Sequence, residues 1–157
     1  MRANPQRVVF DCNVFVPALI NRAGPAGKCV VHALNGDVAL FLSDETLAEI
    51  RKAPGKATPA RLGVTVERTE TLIDNLLKVA SVIPNVPAVF VYDRDPDDAH
   101  YVNLAVAAQA KLIVSRDRDL LDLMDARRVE SLAFRRQFPA MRILDPVQLI
   151  RELETGE

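Results

Sequence analysis

Asp95–Leu121, DPDDAHYVNLAVAAQAKLIVSRDRDLL, sets acids on both sides of one compact apolar unit. After Asp97 and Asp98, the residues Val102, Leu104, Ala105, Val106, Ala108 and Ala110 include helical spacings, and no Gly or Pro interrupts them over about three turns. The spacing predicts a helix ending near Lys111. An Asp at such a start accepts orphan first-turn amides and complements the helix dipole without any functional role. That account covers one Asp well and two less well. Leu112, Ile113 and Val114 then form a short β-branched run that reads as a buried parallel strand, followed at once by Ser115, Arg116, Asp117, Arg118 and Asp119. Acids after a buried strand lie where open α/β sheets place their ligands. Asp98 and Asp117 face one crevice only if the intervening chain folds back as half of a βαβ unit.

Working outward, Val8, Val9 and Phe10 form a second apolar run that stops at an acid, Asp11, ahead of Cys12 and Asn13. Taken alone, Asp11 reads as a turn or cap residue, and Asn13 as the N-cap of a helix running through Phe15 and Leu19 toward Asn21. Gly24, Pro25 and Gly27 mark a loop before a helix stopped at Asn35-Gly36. Val38–Leu42 is a strand candidate, and Ser43 offers an N-cap to DETLAEIRKA, with Glu45 and Glu49 four apart on one face. Residues 54–63 are a turn-rich basic loop or helical arm. Thr65 caps a helix that ends near Ala80, with an apolar stripe from Val66 to Val79. AVFVY, after Pro84 and Pro87, reads as a short strand or an extended lead into Asp93 and Asp95. The region beyond Leu121 is partly helical, Met141–Leu144 is a last strand, and VQLIRELE closes the chain as an amphipathic helix. Strands alternating with helices define an α/β domain with a mostly parallel sheet.

The chain has 157 residues, 49% hydrophobic and 26% charged, which suits one folded domain and excludes disorder. A net charge of −1 gives no bulk argument for a nucleic-acid partner, although local distribution sets the field at a groove. Cys12 and Cys29 form neither a disulfide framework nor a metal-ligand spacing, and no apolar run reaches membrane-span length, so the cytoplasm is the expected location. His32 and His100 lack partner spacing and read as surface or core histidines.

Several chemistries use strand-end acids. A haloacid-dehalogenase-like phosphotransferase needs an acid where Asn13 stands, a receiver domain needs an acidic pair beside Asp11, and no P-loop or Gly-x-Ser-x-Gly elbow occurs. There remains a hard-metal site built from oxygen ligands on separate elements, which suits Mg²⁺ or Mn²⁺ and metal-assisted phosphodiester hydrolysis.

VVFDCNVFVPAL, SDETLAEI, DPDDAHYVNLA, LIVSRDRDLL and RILDPVQLI, in that order from Val8 to Ile150, resemble the motifs of the PIN domain, the ribonuclease fold of VapC-like toxins in bacterial toxin-antitoxin modules. The resemblance implies a PIN-like three-layer α/β/α fold with a mostly parallel central sheet, in a single domain over residues 1–157. It implies catalytic Asp11, Glu49, Asp98 and Asp117, a metal held by Asp11, Asp98, Asp117 and Asp119, and support from Asn13 and Ser115. It also implies Mg²⁺ or Mn²⁺ as cofactor, single-stranded RNA as substrate, a cognate antitoxin and a homodimer, whose interface the apolar segments around Val30 and Leu72 can supply. Two residues depart from the pattern: Cys12 stands where Thr or Ser is common, and Arg116 where Gly is common. Arg116 either contacts a substrate phosphate or occupies the cleft. Arg127, Arg128, Arg135 and Arg136 form either an RNA-facing patch or a solvated face. The alternatives to the nuclease are a catalytically weak PIN-like module that binds RNA or protein, and a metal phosphatase acting on small esters.

Overall fold

A computed structural model describes residues 3–155. The chain runs through β1 (Gln6–Phe10), α1 (Cys12–Ile20), α2 (Pro25–Leu34), β2 (Val38–Leu42), α3 (Asp44–Lys52), α4 (Ala57–Arg61), α5 (Val66–Leu77) and β3 (Ser81–Val82). After a long irregular segment come α6 (Ala99–Ala107), β4 (Leu112–Val114), α7 (Arg118–Leu121), α8 (Val129–Gln137), β5 (Arg142–Leu144) and α9 (Pro146–Glu154). Single 3-10 turns at Ala53–Gly55, Pro96–Asp98 and Asp122–Met124 join some of these.

All five strands are parallel, in the order β3-β2-β1-β4-β5. Val9 is level with Phe41 on one side and Ile113 on the other, and Ile113 with Ile143. The three central strands are apolar runs because both their faces are covered; Val8, Val9, Phe10, Leu112, Ile113 and Val114 are all fully buried. On one side α1 packs against α2, α3 and α5, and α2 against α9, while α6 lies against β1, β2 and β4. The result is an α/β/α sandwich.

The strand order explains where the site falls. The chain winds outward from β1 through β2 to β3, then returns to the far side of β1 to place β4. Winding therefore reverses between β1 and β4, and at such a switch point the crossovers diverge and leave a crevice beyond the carboxyl ends of the strands. Asp11 directly follows β1, and Ser115 directly follows β4.

Local signals account for most element ends, with four differences. The first helix starts at Cys12 and is capped by Asp11, whose Oδ1 accepts from the Asn13 amide at 3.2 Å, so Asn13 is inside the helix rather than its cap. The second starts at Pro25, a favoured first-turn residue, and Gly27 belongs to it: a Cβ there would stand 2.2 Å from the Arg22 carbonyl oxygen. The helix after Asp98 ends at Ala107, short of Lys111, because Gln109 turns into the left-handed region at φ 54°. The sheet has an edge strand where none was expected, while AVFVY takes the second of its two readings. It is an extended lead whose Val89 and Phe90 amides donate to the Asn103 side chain at 3.0 and 2.8 Å, and the short edge strand is Ser81–Val82 instead.

Candidate active site

Asp11 is almost fully buried, and each of its oxygens has a separate task. Oδ1 caps α1, and Oδ2 accepts from the Ser115 hydroxyl at 2.7 Å. That hydroxyl in turn accepts from the Asp117 amide at 2.9 Å. One serine thereby ties the acid after β1 to the acid after β4. Asn13 makes a second tie, its Oδ1 accepting from the Arg116 amide at 2.9 Å. Asp117 caps α7 through Oδ1, which accepts from the Asp119 amide at 2.9 Å. The supporting positions expected from the sequence, Asn13 and Ser115, thus clamp the two strand ends together.

Asp98 behaves differently. It stands at the N-terminus of α6 yet makes no side-chain cap, so the structural account that suffices for an isolated N-terminal Asp does not hold for it. Among the described residues, its Oδ2 is buried without a hydrogen-bond partner. Burial above all, then hydrogen bonding to Asp117 and the charges of Asp11, Asp117 and Asp95, pushes its carboxyl up to about 9. Burial likewise raises Asp11, against the Ser115 and Asn13 hydrogen bonds, and the charges of Asp117 and Glu49 add to the rise. A carboxyl that is buried, orphaned and surrounded by like charge is stabilised by a proton or by a cation.

Among the described residues, Asp95, Asp98, Asp117 and Asp119 each offer an oxygen, all lying within 4.8 Å of one another. This all-oxygen donor set, with the orphaned Asp98 oxygen in it, fits a hard divalent ion. Asp95, which the sequence reading placed at the start of the stretch but not in the site, belongs to this group. Burial and a hydrogen bond to Asp119 raise its carboxyl. Asp11 lies beside the four, near enough for its charge to act on Asp98. A spacing signal existed: Asp95 and Asp98 are three apart across a single 3-10 turn, whose Asp98 amide donates to the Asp95 carbonyl at 3.1 Å.

Glu49 reaches the site from α3. Its Oε1 accepts from His100 Nε2, and its Oε2 accepts from the Tyr101 hydroxyl at 3.2 Å. Burial works against its charge, but these two donors prevail and hold its carboxyl below the usual range. Tyr101 is fully buried and its hydroxyl also accepts from the Cys12 amide at 3.0 Å, so one phenol links α6, α3 and the start of α1. His100 is therefore a partner of an acid rather than an isolated histidine. Neither His100 nor Tyr101 was legible as such, since 51 or 52 residues separate each from Glu49. Cys12 is buried, and burial with the charges of Glu49 and Asp11 lifts its thiol to about 12, which keeps it protonated and small. Asp119 carries a cation of the chain's own: Arg94 Nε lies 2.6 Å from its Oδ1, and a second Arg94 nitrogen 2.8 Å from Asp122 Oδ2.

The arginines divide into two sets. Arg127 forks onto Asp125 at 3.0 and 3.1 Å, Arg128 lies 3.3 Å from Asp122, and Arg135 donates to the Met124 carbonyl at 3.2 Å. Arg116, Arg118 and Arg136 are exposed, and their guanidinium groups have no partner among the described residues.

An all-parallel sheet with carboxylates gathered beyond its switch point defines an α/β protein built around a cluster of acids. Residues 7–119 match the family model of the PIN domain, and the chain belongs to that family. It is 31% identical over 121 residues to the uncharacterized protein MJ1680 of Methanocaldococcus jannaschii, covering 76% of each chain. A chain of the crystal structure of VapBC2 from Rickettsia felis, bound to a DNA fragment from their promoter, shares the fold with a TM-score of 0.50 at 12% identity, over 89% of this chain and 98% of that one.

Proposed function

We propose that this chain is a metal-dependent endoribonuclease that hydrolyses single-stranded RNA phosphodiesters, working as one PIN-like domain over residues 1–157. The observation that carries the reading is the gathering of Asp95, Asp98, Asp117 and Asp119 with Asp11 alongside, one buried oxygen of Asp98 lacking a hydrogen-bond partner among the described residues. Asp98, Asp117, Asp95 and Asp119 would hold Mg²⁺ or Mn²⁺. When bound, such an ion lowers the pKa of a water and offsets charge on the phosphate. Asp11, fixed by Ser115, completes the negative wall of the cleft. Glu49, pinned by His100 and Tyr101, stands as a second carboxylate near Asp11, able to orient a water or take its proton.

Family membership and the fold shared with a chain of VapBC2 support placement of the chain as the toxin of a cytoplasmic toxin-antitoxin pair, with a cognate antitoxin that covers the cleft. A homodimer would use the face around Val30 and Leu72, where Val31 and Leu77 are exposed. Among the described residues, no helix is long and apolar enough to cross a membrane.

The test is cleavage of a single-stranded RNA oligonucleotide with Mn²⁺. The wild type cuts it, and EDTA stops the reaction. Asp11→Asn and Asp98→Asn, still folded by circular dichroism, fall by about 100-fold or more, the scale on which removal of one positioned charge acts. Residual activity equal to wild type in both variants removes the assignment. The pairing of Arg94 with Asp119 favours the second reading, a weakly catalytic RNA- or protein-binding module. Calorimetry separates the two, since the nuclease takes up Mn²⁺ and the module does not.

A further inference from the structure

Beside the acids, on the side of α1 and α2, a groove of about 450 Å³ opens across the carboxyl edge of the sheet. Its wall includes Asn21, Gly24, Arg116, Arg118, Leu121 and Asp145, drawn from the end of α1, the start of α2, the turn after β4 and the start of α9. We infer that this groove binds the phosphodiester backbone of the RNA strand next to the scissile phosphate, with Arg116 and Arg118 as its cationic contacts; the inference rests on the nuclease reading above.

Three observations support it. The first is where the chain leaves its positive charge unspent. Arg94, Arg127 and Arg128 are neutralised by Asp119, Asp122 and Asp125, and Arg135 is tied to a carbonyl. Among the described residues Arg116 and Arg118, like the more distant Arg136 on α8, have no such partner, so their charge is open to an external anion. The second is position. Both residues alternate with Asp117 and Asp119 along one turn, and the backbone of Arg116 is anchored by Asn13. A strand whose scissile phosphate lies at the acids therefore has its neighbouring phosphates within reach of both guanidinium groups. The third is the polar part of the remaining wall, whose other residues are apolar. Asn21 spends its Oδ1 on the Ala23 amide and keeps its NH₂ as a donor, while Gly24 leaves the first turn of α2 without a side-chain cap. Asp145, the acid on the wall, is engaged in capping α9, where its Oδ1 accepts from Gln148 at 2.8 Å. The opposite-sign edges of the site thus have separate tasks: acids at the reacting phosphate, free arginines along the strand.

The experiment measures binding apart from cleavage. In the Asp98→Asn background, a fluorescent single-stranded RNA 12-mer is titrated by anisotropy over a series of salt concentrations. Arg116→Gln/Arg118→Gln lowers affinity by about tenfold and flattens the plot of log K against log salt by about 1.4, the loss of two phosphate contacts on a single strand. Arg127→Gln/Arg136→Gln changes both by little. An unaltered salt slope in the first pair overturns the groove, whether or not cleavage has fallen, since a protein-docking role for these arginines gives that result. An equal loss in both pairs overturns it too, because the charge is then not localised. The nuclease reading fails separately, on absence of Mn²⁺-dependent cleavage by the wild type.

Discussion

Asp98 is the residue at which fold and chemistry are in conflict. Its carboxyl is pushed up to about 9, while an Asp in an unfolded chain titrates near 3.9, so the folded protein holds this proton more tightly. The metal-free protein is therefore favoured by protonated Asp98 at low pH and loses that stability as pH rises from about 4 toward about 9. Asp98→Asn keeps the shape and removes the charge. In EDTA at pH 8 the variant melts about 3–6 °C above wild type by calorimetry, and the gap closes near pH 4.5. A gap that stays constant with pH removes Asp98 as the proton holder. Ser115 gives the complementary case. Its hydroxyl satisfies both Asp11 Oδ2 and the Asp117 amide, so Ser115→Ala leaves a buried acceptor and a donor unmatched and costs about 1–3 kcal/mol in urea unfolding. A cost under about 0.5 kcal/mol shows that water replaces the hydroxyl freely. Single residues such as Asp11, Asp98 and Asp117 could be read from the sequence because each sits beside an apolar run that fixes its place at a strand or helix end. Tyr101, His100 and Arg94 could not, because their roles come from partners far away in the chain, and periodicity carries no information about such pairs.

At the scale of elements, β1, β2, β4 and β5 were legible because each carries an apolar run ended by an acid, a serine or Asp-Pro, although Gln6 and Arg7 open β1 and Arg142 opens β5. The helices after Ser43 and Thr65 were legible for a local reason: both hydroxyls cap as their position suggests, accepting from Thr46 and Arg68. AVFVY was legible as a strand or an extended lead, and it is the lead, because its strand-like composition satisfies aromatic packing rather than a ladder. Phe90 is stacked edge-on to Phe134 and Phe138, at 5.5 and 5.9 Å between ring centres, and the backbone hydrogen bonds that a neighbouring strand would supply come from Asn103. Asn103 is buried, in the middle of α6, and donates to the Phe90 carbonyl at 3.4 Å as well. Asn103 thus anchors the middle of the lead into Asp95, with Gln137 donating to the Val89 carbonyl and the Tyr92 hydroxyl to the Asp119 carbonyl on either side. Asn103→Ala is expected to cost about 2 kcal/mol and to expose residues 84–95 to limited proteolysis well before global unfolding. Because Asp95 sits at the end of that lead, Mn²⁺ affinity falls with it. Wild-type resistance to protease in the variant shows that the ring packing and the Gln137, Tyr92 and Arg94 contacts hold the segment without Asn103.

For the whole molecule, the cost of concentrating acids is distributed. The net charge is only −1, yet Asp11, Asp95, Asp98, Asp117 and Asp119 converge at one end of the sheet. The switch point brings Asp11, after β1, together with Asp117 and Asp119, after β4, and the start of α6 adds Asp95 and Asp98 to them. Against their repulsion stand the buried strands beneath, the Ser115 and Asn13 clamps, and one internal cation, Arg94, at the outer acid. A divalent ion binding only the folded state adds RT ln(1 + [ion]/Kd), about 2.7 kcal/mol at a hundredfold excess over Kd. For a chain of this length, that raises the melting temperature by about 5–10 °C. The increase belongs to the cluster and not to general screening, so an equal ionic strength of KCl does not reproduce it, and Asp95→Asn/Asp98→Asn abolishes it. It also shrinks at pH 5, where protons compete with the ion for the raised carboxyls of Asp11, Asp95 and Asp98. A Mn²⁺ shift that survives the double substitution places the ion elsewhere on the surface, and the carboxylates beyond β1 and β4 then have no claim to the chemistry.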